Sequence, residues 1–334
     1  MSEQPSLQDL QTGEAFVGFL LASEAAYKTS RTGGEYLEVK LLDRSGDIKG
    51  FLWDLRAVEG DFEAIRADVF LKVKAKVEEF QGRKQLRLEK VRFAEDAEVG
   101  DLSRFFPTSQ RPVAAMLADM DGLIASIADP WIRKLLQAML VENETLRAAF
   151  AKAPAAKSLH HVYLGGLLEH TLSVAGMAER ACAHYSGINR DLLLAGVFLH
   201  DLGKTAELTY DRSFGYSDAG NLIGHISMEA EWISQEMARI PHFPEELRMQ
   251  ILHCVLSHHG KLEFGSPVLP KTPEALLLHY LDDLDGKLEG MFRAIRDESG
   301  SGNWTPFSRS LERMIYKVRW PKAVQGLSSG TQEP

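Results

Sequence analysis

The sequence predicts a chain of two unlike parts, an all-β barrel of five strands followed by an all-α helical bundle. Two observations carry this. Apolar residues recur at every second position up to about residue 94 and at helical spacing from about residue 113, so the side-chain period changes once along the chain. All eleven histidines fall between His160 and His279, so any chemistry that needs imidazole belongs to the second part. A length of 334 residues suffices for about two cores.

In the first part, strands are expected over residues 15–27, 36–42, 47–53, 69–80 and 84–93. Asp43-Arg44-Ser45-Gly46 turns between the second and third, and Gln81-Gly82-Arg83 between the last two. Residues 58–65 are expected to form a short helix, and five strands with a helix between the third and fourth is the order of an OB barrel. In Phe70-Leu71-Lys72-Val73-Lys74-Ala75-Lys76-Val77 the lysines alternate with apolar residues, which puts Lys72, Lys74 and Lys76 on the outer face. Arg83, Lys84, Arg87, Lys90 and Arg92 follow on the next strand. Tyr36, Phe51 and Trp53 lie on strands two and three, the face on which such barrels commonly stack bases. Tyr36, Phe51, Trp53, the three lysines and Arg87 are therefore the candidate contacts to a single strand. The plainer alternative is a solvated lysine face and aromatics turned into the core.

Pro107, Pro112, Pro130 and Pro154 punctuate the middle of the chain, with helices expected over residues 113–128 and 131–150. The expected division is a barrel at 1–100, a helical linker packed on the second part at 101–157, a helical catalytic unit at 158–320 and a disordered tail at 321–334. Ser299-Gly300-Ser301-Gly302-Asn303 reads as a loop before a last helix. The exposed apolar helices between the two parts are where self-association into a homo-oligomer is expected.

Several classes are excluded. No basic segment followed by an apolar run opens the chain and no apolar run approaches membrane-spanning length, so the expected compartment is the cytoplasm and no membrane partner is expected. Cys182 and Cys254 are far apart and lack CxxC spacing, against a disulfide framework or a thiolate zinc. A net charge of −9 opposes phosphate approach, so nucleic-acid binding must be local. Walker and HExxH patterns are absent, and Gly215-Tyr216-Ser217-Asp218-Ala219-Gly220 is one residue too long for a GxSxG nucleophile elbow.

The chemistry gathers around Leu199-His200-Asp201-Leu202-Gly203-Lys204, at the end of the apolar run Leu192-Leu193-Leu194-Ala195-Gly196-Val197-Phe198-Leu199. An imidazole and a carboxylate at the end of a buried helix need a compensating partner, and a divalent metal is the simplest. Lys204 follows on the same side and suits a phosphate. His170 sits between Leu167 and Val174 on an inward helix face. Further on come His225, then His253, His258 and His259, then His279, Asp282, Asp283 and Asp285. Nitrogen and oxygen ligands of this kind suit Mn, Fe, Mg or Zn, and the set suffices for two ions. Spacing alone does not choose among Asp282, Asp283 and Asp285.

These residues resemble the HD-domain metal-dependent phosphohydrolases, whose ligands are an early His, a His-Asp pair and a late Asp. The chain is similar, more closely, to the YhaM family of bacterial 3′-to-5′ exoribonucleases, which join an OB-fold to an HD domain. The resemblance covers residues 12–316 and is most specific in HHVYLGGLLEHT, LLAGVFLHDLGK, LIGHI, SHHGKLEFGSPVLPKTPEALLLHYLDDLDGK and WTPFSRSLERMIYK. It implies His170, His200, Asp201 and Asp282 as metal ligands, with Asp285 behind them or on the substrate side. It implies His225 and one of His258 or His259 at a second ion, and Lys204 beside the phosphate. His160, His161 and His253 are further candidates for the substrate side.

The implied activity is metal-dependent hydrolysis of single-stranded RNA, with DNA as a second candidate substrate, from the 3′ end to nucleoside 5′-monophosphates. His200, Asp201 and Lys204 are the expected catalytic residues, two ions the expected cofactor and Mn²⁺ the expected metal. One alternative is an HD phosphohydrolase acting on free nucleotides or cyclic dinucleotides. Another is a non-catalytic single-strand-binding protein.

Overall fold

The computed structural model describes residues 4–30, 33–80, 82–100, 104–156, 163–210, 215–296, 298 and 302–317. Strong period-two patterning produces β1 (Ala15–Thr29), β2 (Glu35–Asp43), β3 (Gly46–Leu52), a two-residue β4 (Val58–Glu59), β5 (Val69–Phe80) and β6 (Arg83–Phe93). The sheet runs β3-β2-β1-β5-β6, antiparallel throughout, and closes through a parallel β3–β6 pairing. This is the five-stranded OB-like barrel, with β4 added as a short parallel bridge beside β6. The helix expected over residues 58–65 does not form. Asp54 and Asp61 instead cap two single 3-10 turns, Leu55–Ala57 and Phe62–Ala64, by accepting from Arg56 N and Glu63 N. Short aspartate-capped turns satisfy the backbone locally and leave no run long enough for an α-helix.

Alternation fixes which side chains fill the barrel. Leu71, Val73, Ala75 and Val77 of β5 point inward with Leu37, Val39, Leu41, Leu52, Leu86 and Leu88, while the intervening lysines point out. Phe70 breaks the pattern. It lies on the outer face yet is buried, because Phe105, Phe106, Val99, Leu21 and Leu164 cover it in a small separate core, with the Phe70 and Phe105 rings 4.9 Å apart. That core and the Thr108–Leu164 bridge join the barrel to the helices.

After a short α1 (Asp96–Val99) come α2 (Val113–Ala125), α3 (Pro130–Leu136) and α4 (Glu144–Lys152). The segment expected as one helix over residues 131–150 is interrupted. It widens at Gln137–Glu142 and restarts where Asn143 caps α4 through Leu146 N. The remaining helices are α5 (Gly166–His184), α6 (Arg190–Leu199), α7 (Lys204–Glu207), α8 (Asp218–Leu222), α9 (His225–Arg239), α10 (Glu245–Ser257) and α11 (Pro273–Arg296). A two-strand hairpin, β7 (Leu208–Thr209) with β8 (Gly215–Tyr216), separates α7 from α8. One hydrophobic core unites α2 to α4 with α5, α6, α9, α10 and α11.

Among the described residues the helix expected after residue 303 is also absent. The segment folds back on itself through Trp304–Tyr316 and Ser308–Arg313 bridges, with Ile315 inward and its neighbours outward. The expected tail at 321–334 lies outside the described residues. Among the described residues, no helix is long and apolar enough to cross a membrane.

Candidate metal centre

α6 is buried along its whole apolar run, Leu192 to Leu199, so its C-terminal end delivers His200 and Asp201 into the interior. The helix stops at Leu199, and tight turns carry the chain to α7. Gly203 makes this possible: a Cβ there would stand 2.3 Å from the His225 carbonyl oxygen, so only glycine lets the turn press against the start of α9.

Asp201 is the meeting point. Its Oδ2 lies 3.4 Å from His200 Nε2 and 3.7 Å from His170 Nε2. Its Oδ1 lies 3.7 Å from His225 Nε2 and 3.8 Å from His258 Nε2. Asp282 Oδ1 completes the first group, 3.1 Å from His170 Nε2 and 3.7 Å from His200 Nε2. The donor atoms of His170, His200, Asp201 and Asp282 all lie within 4.8 Å of one another, as do those of His225, His258 and His259. The structure thus groups His258 and His259 together at the second cluster, their rings 4.3 Å apart.

His200 Nε2, His225 Nε2, His258 Nε2 and Asp201 Oδ1 are buried with no hydrogen bond, an arrangement that costs about 1–3 kcal/mol for each group left so. The outer faces are all engaged. Nδ1 donates to the Val197 carbonyl from His200 (2.9 Å), to the Val255 carbonyl from His258 (2.7 Å) and to the Phe264 carbonyl from His259 (2.8 Å). His170 Nδ1 meets Asp285 Oδ2 at 2.7 Å, and His225 Nδ1 meets Glu207 Oε1 at 2.9 Å. A proton on Nδ1 leaves the Nε2 lone pair for a cation. Imidazole nitrogens and carboxylate oxygens without a thiolate fit divalent metal ions.

The charges point the same way. Burial alone would lower His200, but Asp201 and Asp282 hold it well above the ordinary histidine range. Burial would raise Asp201 and Asp282. Lys204 and His200 depress the first, and the adjacent His170 and His200 imidazoles the second, so both are held well below the usual carboxylate range. His258 is pushed far down by burial and by the neighbouring His259 and His200, which keeps it neutral.

Other expected residues divide. Asp283 pairs with Lys287 at 2.6 Å, away from the cluster. Asp285 sits behind the His170 ring, where Ser173 Oγ also donates to it. Lys204 pairs its ammonium with Asp201 Oδ2 at 2.8 Å, which engages one of its three N–H donors. His253 Nε2 accepts from Lys271 N at 2.8 Å and pins the chain entering α11. His160 and His161 lie outside the described residues.

Two acids escaped the sequence reading. Glu207 Oε1 accepts from both His225 N and His225 Nδ1, so it aims that ring. Glu229, one turn into α9, is fully buried and accepts from Gly203 N at 2.9 Å. Burial and the nearby Asp201 push its carboxyl well above the ordinary range.

On the barrel, Tyr36, Phe51 and Trp53 face outward. Tyr36 and Trp53 stack with centroids 4.5 Å apart, Phe51 lies 6.2 Å from Trp53, and Trp53 is 54% exposed. Phe51 stands beside Arg87 across β3–β6, and Arg87 beside Lys76 across β6–β5, so the aromatics and the basic row form one band. The band is not uniformly basic. Lys74 pairs with Glu89 at 3.2 Å, Arg87 with Glu78 at 2.9 Å, and Lys72 lies 5.2 Å over the Phe19 ring.

Residues 167–287 match the family model of the HD domain. The 3′-5′ exoribonuclease YhaM of Bacillus subtilis (strain 168) is 34% identical over 313 residues, covering 93% of this chain and 98% of that protein. The HD domain of the L. monocytogenes phosphodiesterase PgpH is 22% identical, covering 48% of this chain and 77% of that one, with a TM-score of 0.29. The second OB-fold domain of replication protein A from Methanococcus maripaludis is 16% identical, covering 28% of this chain and 97% of that one, with a TM-score of 0.22. With a barrel, an HD-domain cluster and a relative alike over nearly its full length, the chain belongs to the YhaM family of exonucleases, and it is a hydrolase.

Proposed function

We propose that this protein hydrolyses single-stranded RNA from the 3′ end to nucleoside 5′-monophosphates, with DNA as a further substrate to be tried. The observation that carries the reading is Asp201, whose two carboxylate oxygens face two separate groups of ligand atoms. His170, His200, Asp201 and Asp282 would hold one divalent ion, and His225, His258 and His259 with Asp201 a second, Mn²⁺ being the expected metal. When bound, such ions supply charge stabilisation to a scissile phosphate and an activated water.

The chain's own groups prepare that site. Glu207 and Asp285 turn His225 and His170, Lys204 offsets the charge of Asp201, and the leucine-rich α6 keeps bulk water from the inner face. In this division of labour residues 1–100 retain the strand through Tyr36, Phe51, Trp53, Lys72, Lys74, Lys76 and Arg87, residues 101–157 connect, and residues 158–320 cleave. A time course on 5′-labelled single-stranded RNA with Mn²⁺ tests it. The expected result is a ladder shortening from the 3′ end and abolished by chelator. An intact strand with every divalent metal tried would contradict it and favour free nucleotides as substrate.

A further inference from the structure

Two loops border the His225, His258 and His259 group, and both hold apolar side chains in solvent. Leu222 and Ile223 precede Gly224-His225 and are 85% and 55% exposed; Leu262 and Phe264 follow His259 and are 63% and 54% exposed. His259 ties the second loop to the centre, since its Nδ1 donates to the Phe264 carbonyl at 2.8 Å while its ring lies 5.2 Å from that of His225. The loop itself is fixed: a Cβ on Gly260, at φ +75°, would stand 2.2 Å from the His279 ring, and His279 Nδ1 donates to the His258 carbonyl. Lys261 holds its ammonium 4.9 Å from the Phe264 ring centroid.

Exposed leucine, isoleucine and phenylalanine offer nothing to phosphate oxygens. They do offer a surface to the flat, apolar face of a base. We propose that this rim is a nucleobase-binding site in which the Phe264 ring stacks on the base at the 3′ end of the strand, with Leu222 and Ile223 bordering it from the α8 side. The inference rests on the exonuclease reading and adds to it the group that recognises the terminal nucleoside.

The test uses two 5′-labelled RNAs that are identical except that one ends in an abasic ribose. The wild-type protein is expected to prefer the RNA with the terminal base by about tenfold in kcat/KM, the size of one base–aromatic stack. Phe264→Ala should bring that preference close to one, and Phe264→Trp should restore it. A wild-type protein without preference, or a Phe264→Ala protein with the wild-type preference, overturns the base site and leaves the exonuclease reading intact. A wild-type protein that shortens neither RNA removes both.

Discussion

Asp201 shows how one side chain can organise a centre. Each of its oxygens faces imidazoles from different helices, and those imidazoles are aimed by groups behind them: carbonyls for His200, His258 and His259, carboxylates for His170 and His225. Glu207→Gln should therefore weaken metal binding by about 10–100-fold in a Mn²⁺ titration while leaving the helical content unchanged. The direction of the His200 shift gives a second expectation. Asp201 and Asp282 hold its pKa well above the ordinary value, so the metal-free chain keeps that proton at neutral pH and a metal must displace it. Metal binding should release protons and tighten as pH rises, which calorimetry in buffers of different ionisation enthalpy will detect; an affinity flat with pH contradicts it. At this scale the sequence was only partly legible. Asp282, Asp283 and Asp285 lie within one turn of α11, so spacing could not choose among them; packing sends one to the cluster, one to Lys287 and one behind His170. Glu207 was missed because its partner becomes its neighbour only after the β7–β8 hairpin and α8 return the chain to α9.

Elements differ in how plainly they announce themselves. β5 is bounded in the structure as its alternating lysines predict, since a half-buried strand writes its register into every second residue. Helical spacing at residues 58–65 and after residue 303 gives no helix among the described residues: aspartate-capped turns replace the first, and a segment folded back through two bridges replaces the second. The turn between α6 and α7 carries the tightest demand. Gly203→Ala would drive a methyl group into the His225 carbonyl, so it should lower the thermal midpoint and abolish Mn²⁺ binding together. On the barrel, Trp53 is exposed and stacked, so Trp53→Ala should weaken single-strand binding by about tenfold with little change in thermal stability. An unchanged affinity would place the strand elsewhere.

At the scale of the whole molecule, a net charge of −9 coexists with a banded barrel face and a centre rich in carboxylates and imidazoles. The small core of Leu21, Phe70, Val99, Phe105, Phe106 and Leu164 fastens barrel to helices, and its residues give no sign of this role in the sequence because each is an ordinary hydrophobe in its own element or loop. Strand binding through the barrel should fall with rising salt, and the fall should persist in a chain unable to cleave. The central claim is that Asp201 serves two ions at once. Equilibrium dialysis with Mn²⁺, comparing the wild-type chain with Asp201→Ala, tests it most directly. Two ions per wild-type chain are expected, and neither is retained by the variant at a concentration that saturates the wild type. An Asp201→Ala protein that still holds two ions would contradict it.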